Sequence, residues 1–96
     1  MDDREFAARA DVALQQIEDA LAASQPDLDF ARVGDGVLEI VLEDGGKVVV
    51  NRHAAAQEIW VAARSGGFHF RWDGSAWLDT RSARELLSTV SALLAG

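Results

Sequence analysis

The stretch that decides the fold is KVVVNRHAAAQEIWVAARSGGFHFRW, residues 47–72, which contains three strand-like segments separated by short turns. In segments 47–52, 57–64 and 68–72, apolar side chains alternate with others. This two-residue period is typical of a strand with one buried face. A three-alanine loop and a Ser-Gly-Gly turn connect the segments, and connections this short allow only antiparallel pairing. The stretch therefore predicts the centre of an antiparallel sheet.

The same pattern continues on both sides of this centre. Segments 27–33 and 37–42 precede it and segment 76–78 follows it, each bounded by a turn containing Gly and Asp. Glycine and aspartate are typical turn residues because they tolerate backbone conformations that other residues avoid. The sequence therefore predicts a sheet of about six strands.

Helices are predicted at the two ends of the chain. The first is predicted from Asp2 to Ala22 or Ala23, with an apolar stripe at helical spacing and an end before Pro26. The second is predicted from Ser82, with Glu85 completing a capping box. The order of elements predicts an α+β fold, a two-layer α/β sandwich with both helices packed on one face of the sheet. We expect one such domain over residues 1–96.

Alternation along the strands assigns side chains to the two faces of the sheet. The face toward the helices is predicted to hold Val48, Val50, Ile59, Val61, Phe68, Phe70 and Trp72. The face toward water is predicted to hold Lys47, Val49, Asn51, Glu58, Trp60, Ala62, His69 and Arg71. Trp60 is the exception in the second set, because a large aromatic residue stands on a polar, open face. A strand tryptophan is more often a core residue, but both neighbours of Trp60 already point inward. We therefore interpret Trp60 as an anchor for a protein partner, and we expect Trp72 to be buried.

Composition excludes several classes of function. The chain has 16 acidic and 9 basic residues, a net charge of −7 and no cysteine. The charge argues against nonspecific nucleic-acid binding and against docking on anionic membranes. The lack of cysteine excludes disulfides, thiolate metal sites and a cysteine-ligated iron–sulfur cluster. The N-terminus lacks the features of a targeting signal, and no apolar run reaches the ~20 residues of a membrane span. We expect a cytoplasmic protein.

The negative charge is concentrated at one end of the sequence. Residues 1–29 hold eight acidic and only two basic side chains. Carboxylates are hard oxygen ligands suited to ions such as Fe³⁺ and Mg²⁺. Asp11 and Glu18 lie about 10.5 Å apart along a helix and cannot share one ion. The pattern predicts shallow sites with dissociation constants of roughly 10⁻⁵–10⁻⁴ M. A plain solvated surface and a docking surface for a basic partner are the alternatives.

Several ordered motifs resemble the frataxin family, most closely its bacterial CyaY branch. The resemblance rests on Asn51-Arg52-His53, Glu58-Ile59-Trp60-Val61-Ala62 and Ser65-Gly66-Gly67-Phe68-His69-Phe70. Further matches are Gly36-Val37-Leu38-Glu39-Ile40, the Asp44-Gly45-Gly46 turn, Ala76-Trp77-Leu78 and the two terminal helices. Together they cover nearly the whole chain. The resemblance implies weak iron binding on an acidic ridge formed by Asp3, Asp11, Glu18, Asp19, Asp27 and Asp29. It also implies a partner-binding surface that includes Asn51, His53, Trp60 and His69.

The chain departs from the family pattern at a few positions. His53 stands where the family usually has glutamine, and alanines 54–56 replace a loop that often contains proline. Ala22, Ala23 and Ser24 occupy a stretch where relatives often carry acids, and Arg32 adds a positive charge nearby. These departures concern the strength of iron binding and leave the predicted fold unchanged.

The resemblance implies an accessory protein of iron–sulfur cluster assembly. Such a protein would dock on the cysteine desulfurase and its scaffold protein, as an iron donor or an iron-dependent regulator that holds Fe²⁺ or Fe³⁺ weakly. We expect a monomer; the alternative is an oligomer that forms when iron binds. The alternative is a ferroxidase that sequesters iron. The sequence has no nucleophile elbow and no phosphate-binding loop, so we expect no dedicated catalytic centre, although weak ferroxidase activity is compatible with the family. The two histidines on the open face could also ligate a metal or haem.

Overall fold

The first helix forms because an apolar stripe and a side-chain cap coincide. The computed structural model describes residues 1–95, and α1 spans Asp3–Ser24. The Asp2 carboxylate caps the helix by accepting a hydrogen bond from the backbone N–H of Glu5 at 2.7 Å. Gln25 ends the helix just before proline. Its buried stripe consists of Phe6, Ala10, Ala13, Leu14, Ile17 and Leu21.

The sheet is an antiparallel meander in which each strand pairs with its neighbours in sequence. Its strands are β1 (Asp29–Arg32), β2 (Val37–Val41), β3 (Lys47–His53), β4 (Glu58–Ala63), β5 (Gly66–Trp72) and β6 (Trp77–Asp79). The bounds differ from the predicted ones by one or two residues, as is usual for strand ends. The turn between β1 and β2 depends on Gly36, whose φ is +74° and whose hydrogen faces the Arg52 side chain. A Cβ there would lie 2.7 Å from Arg52 Nε, too close for any contact.

The core lies between the sheet and the helices. Buried apolar side chains of α1 and α2 form one cluster with alternate residues of β2 to β6. Val48, Val50, Ile59, Val61 and Phe70 are fully buried in this cluster, as predicted. The predicted α+β, two-layer fold with a six-stranded antiparallel sheet is therefore confirmed.

Two predicted inward residues are less buried than expected. Phe68 and Trp72 pack against the core from its margin and are only half-buried. The fully covered tryptophan is Trp77, which is 5% exposed and meets the Phe6 ring edge-on at 5.9 Å. The prediction that Trp72 is buried is therefore wrong: its ring lies at the margin of the core, with the Arg9 guanidinium 4.7 Å from the ring centre.

The second helix begins later than predicted. Helix α2 spans Leu86–Leu94, and Glu85 is its N-cap, accepting hydrogen bonds from the second and third residues after it. The predicted capping box from Ser82 is wrong because Ala83 adopts a left-handed conformation with φ of 61°. Asp79 stabilises this non-helical turn by accepting two backbone hydrogen bonds from it. Within residues 1–95, no helix combines the length and the hydropathy that crossing a membrane requires.

Candidate functional site

Trp60 lies between two histidine rings on the face of the sheet opposite the helices. The register of β3, β4 and β5 places Asn51 and His69 on either side of it. The His53 ring stacks on the indole at 3.8 Å with an interplanar angle of 10°, and the His69 ring stacks at 4.5 Å and 12°. We call His53, Trp60 and His69 the ring stack. Since imidazoles cover both faces of the half-buried indole, its edge is the part that a partner can contact.

A buried carboxylate supports the ring stack through a hydrogen bond to the edge of the indole. Glu58 is 7% exposed although it points to the open face. It accepts hydrogen bonds from Trp60 Nε1 at 2.8 Å and from Arg71 Nε at 2.7 Å, and His69 Nδ1 lies 3.7 Å away. The Trp60 hydrogen bond lowers the pKa of Glu58, and Arg71 and His69 add to this effect against the opposing effect of burial. A negative charge is thus held at the Nε1 edge of the indole.

The prediction that Glu58 is exposed to water is therefore wrong. The prediction that its side chain points to the open face is correct. Alternation places the side chain correctly but says nothing of what covers it. Trp60, two residues along β4, and Arg71, directly opposite on β5, both fold over the carboxylate. Sequence analysis singled out neither Glu58 nor Arg71 as a site residue. The available signal was an acid and a tryptophan two residues apart on the same strand face.

The turn after β3 fixes the orientation of His53. The backbone N–H of Ala56 donates a hydrogen bond to His53 Nδ1 at 3.3 Å. The next residue, Gln57, has a left-handed φ of 52°, which returns the chain into β4. The three alanines therefore form a tight turn, and the imidazole lies flat against Trp60.

The acidic end of the molecule contains its own counter-ion. Arg32, the last residue of β1, binds Asp11 through Nη1 at 3.1 Å and Glu18 through Nε. Burial lowers the pKa of Arg32, but the hydrogen bonds and charges of Glu18 and Asp11 outweigh it and raise that pKa above its usual value. A single planar guanidinium therefore spans the two carboxylates.

The other predicted ridge residues do not join this pair in one centre. Asp19 accepts a hydrogen bond from Gln15 Nε2 at 3.0 Å. Asp3, Asp27 and Asp29 are exposed at the start of α1, in the turn after it and at the start of β1. Among residues 1–95, no group of three or more His, Asp or Glu side chains is arranged to hold a metal ion. The geometry fits a resident metal centre poorly and is compatible with shallow contacts of one or two carboxylates.

Comparisons with known proteins agree with this fold. A family model described as the frataxin-like domain matches residues 1–95. The iron–sulfur cluster assembly protein CyaY of Dechloromonas aromatica is 57% identical over 97% of this chain and 89% of its own length. CyaY of Bordetella petrii is 52% identical over 97% of this chain and 88% of its own. The solved frataxin of Psychromonas ingrahamii superposes with a TM-score of 0.89 at 32% identity, over 96% of this chain and 87% of that one. The chain therefore belongs to the frataxin-like family.

Proposed function

We propose that this protein is an accessory protein of bacterial iron–sulfur cluster assembly that docks on the cysteine desulfurase and its scaffold protein. The names of its relatives support the first part, since those proteins are called iron–sulfur cluster assembly proteins. The observation that carries the docking is the ring stack. Its three aromatic rings lie on the face opposite the core, supported by the buried Glu58.

The ring stack suits protein recognition because it is rigid before a partner arrives. Stacking and the Glu58 hydrogen bond already restrict the Trp60 side chain, so little conformational entropy is lost on binding. Aromatic side chains with this support are typical interface hot spots. Asn51, half-buried beside the indole, offers an amide for hydrogen bonding across the contact.

Iron, in this proposal, is cargo or signal rather than a resident cofactor. Exposed carboxylates such as Asp19 and Asp27 would contact Fe²⁺ or Fe³⁺ with one or two oxygens each, which predicts weak binding. At Asp11 and Glu18 the ion would compete with Arg32. Because the chain has no cysteine, it would hand iron on, or sense it, without holding a conventional cluster.

The test is desulfurase turnover with and without the protein at several iron concentrations. We expect a change in turnover that Trp60→Ala removes. Trp72→Ala is the matched control, because it truncates a half-buried tryptophan on the opposite face. If adding the wild-type protein leaves desulfurase turnover unchanged at every iron concentration, the proposal is refuted. Fast Fe²⁺ oxidation with iron-induced oligomers would favour the ferroxidase alternative.

A further inference from the structure

A recess lies at the edge of the sheet where β6 stops short of β5. Strand β6 pairs only with Phe70–Trp72, so no strand of the described residues 1–95 lies beside the outer edge of β5 from Gly66 to His69. One further hydrogen bond, from the Thr80 N–H to the His69 carbonyl at 2.9 Å, marks the end of the pairing between β5 and β6. The space beyond it has a volume of about 280 Å³. We call it the end recess, and it is lined by residues 67–69, 79–82, 84 and 89.

Two arginines at the end recess have no acidic partner. Arg81 and Arg84 are exposed, and within residues 1–95 neither has a carboxylate at ion-pair distance. Six of the other seven Lys and Arg side chains do form ion pairs: Arg9, Arg32, Lys47, Arg52, Arg64 and Arg71. In a chain with a net charge of −7, two unpaired cations at one cavity form a local positive surface.

The loop that carries these arginines is held in one conformation. Asp79, the acid that lines the recess, accepts the backbone N–H groups of Arg81 and Ser82 at 2.7 and 3.2 Å. Its carboxylate therefore organises the loop and pairs with neither guanidinium. Ser82 Oγ accepts the N–H of Arg84 at 3.2 Å, and Ala83 keeps a left-handed φ of 61°. A non-glycine residue stays in this conformation only where its surroundings enforce it.

We propose that the end recess binds an extended, acidic segment of a protein partner. The free edge of β5 offers backbone hydrogen bonds to an extended chain, and the guanidiniums of Arg81 and Arg84 match carboxylates. This inference rests on the proposed function and deepens it. His69 belongs both to the ring stack and to the recess, so the two features adjoin on the surface.

The test compares two double variants of equal charge. Arg81→Gln with Arg84→Gln removes the recess cations, and Arg4→Gln with Arg64→Gln removes two exposed cations elsewhere, of which Arg64 is paired with Asp44 at 3.0 Å. Both recess side chains lack side-chain partners here, so we expect wild-type stability. We expect affinity for the desulfurase or the scaffold to fall about tenfold in the recess variant and to stay within about twofold of wild type in the control.

Other outcomes overturn the inference in distinguishable ways. Equal losses in both variants would mean that the recess has no special role. Tighter binding of the recess variant would mean that the partner presents positive charge there. If Trp60→Ala weakens binding while the recess variant does not, the recess inference fails and the docking proposal stands. If none of these variants changes affinity, both fail.

Discussion

Glu58 contributes to the pH dependence of this protein's stability through a buried charge. Its pKa is lowered in the folded state by the Trp60 hydrogen bond and by Arg71, against the opposing effect of burial. A lowered pKa stabilises the fold above the usual value of 4.5, and this contribution is lost as pH falls through the folded value. We expect Glu58→Gln to flatten the fall in unfolding free energy below about pH 4.5. Urea unfolding from about pH 3 to pH 7 measures this.

Asp73→Asn is the control for that prediction. The pKa of Asp73 is also lowered, by the backbone N–H groups of Ser75 and Ala76, but in an exposed turn away from the ring stack. We expect this variant to retain most of the acid dependence of the wild type. An acid dependence unchanged in Glu58→Gln would contradict the role given to the buried carboxylate.

Truncating Trp60 separates stability from binding. Trp60→Ala removes two ring contacts worth about 0.5–1.5 kcal/mol each and one hydrogen bond to Glu58. We expect the free energy of unfolding to fall by about 2 kcal/mol, less than the ~3–5 kcal/mol for the buried Trp77→Ala. Affinity for the desulfurase should fall about thirtyfold. Denaturation and binding measured on the same variant separate the two effects. A loss of unfolding free energy in Trp60→Ala as large as that in Trp77→Ala would refute the surface role.

At the level of single residues, alternation predicted which way Trp60 points and could not predict what it touches. The stack with His69 depends on the β4–β5 register, and the stack with His53 depends on a turn that brings Ala56 onto the imidazole. Cross-strand neighbours of this kind are set by pairing rather than by local pattern. The burial of Glu58 could not be predicted from the sequence for the same reason, because it depends on the cross-strand Arg71.

Among the elements, β1 and α1 are tied together by one guanidinium. Arg32 neutralises part of the ridge at Asp11 and Glu18. We expect Arg32→Gln to tighten Fe²⁺ binding about fifteenfold, since a unit charge ~5 Å from a divalent ion in water contributes roughly 1.7 kcal/mol. Arg4→Gln makes the same charge change on α1 without releasing this pair. Anaerobic Fe²⁺ titration of both variants is the measurement, and an equal gain in both would contradict specific competition by Arg32.

The start of α2 provides a second comparison between elements. Serine is a preferred N-cap residue and glutamate its usual partner three residues later, so the sequence favoured Ser82 as the start of the helix. The structure assigns the cap to Glu85, whose carboxylate accepts two backbone N–H groups. We expect Glu85→Ala to lower the unfolding free energy by about 1 kcal/mol and Ser82→Ala to lower it by less. Thermal or chemical denaturation of the pair measures this, and the reverse order would restore the predicted capping box.

Across the whole molecule, the fold was predictable because independent signals agreed. Turn residues bounded most strands, alternation assigned the faces, and the connections allowed only neighbouring antiparallel pairs. The charge distribution was only partly predictable. Sequence located the acidic end correctly, but pairing in space determined that Arg32 neutralises two of its acids, while Arg81 and Arg84 find no acidic partner within residues 1–95.

This uneven charge predicts how the molecule meets a partner. If the acidic end steers the protein toward a basic surface, association should slow markedly between low salt and ~0.5 M salt, because screening then acts within a few ångströms. The triple variant Asp11→Asn, Glu18→Gln, Asp19→Asn should associate more slowly at low salt and depend less on salt. Trp60→Ala should instead raise the dissociation rate, since packed contacts act after encounter. Stopped-flow association across a salt series measures both rates. An on-rate that is independent of salt in the wild-type protein would assign the contact to the ring stack and its face of the sheet alone.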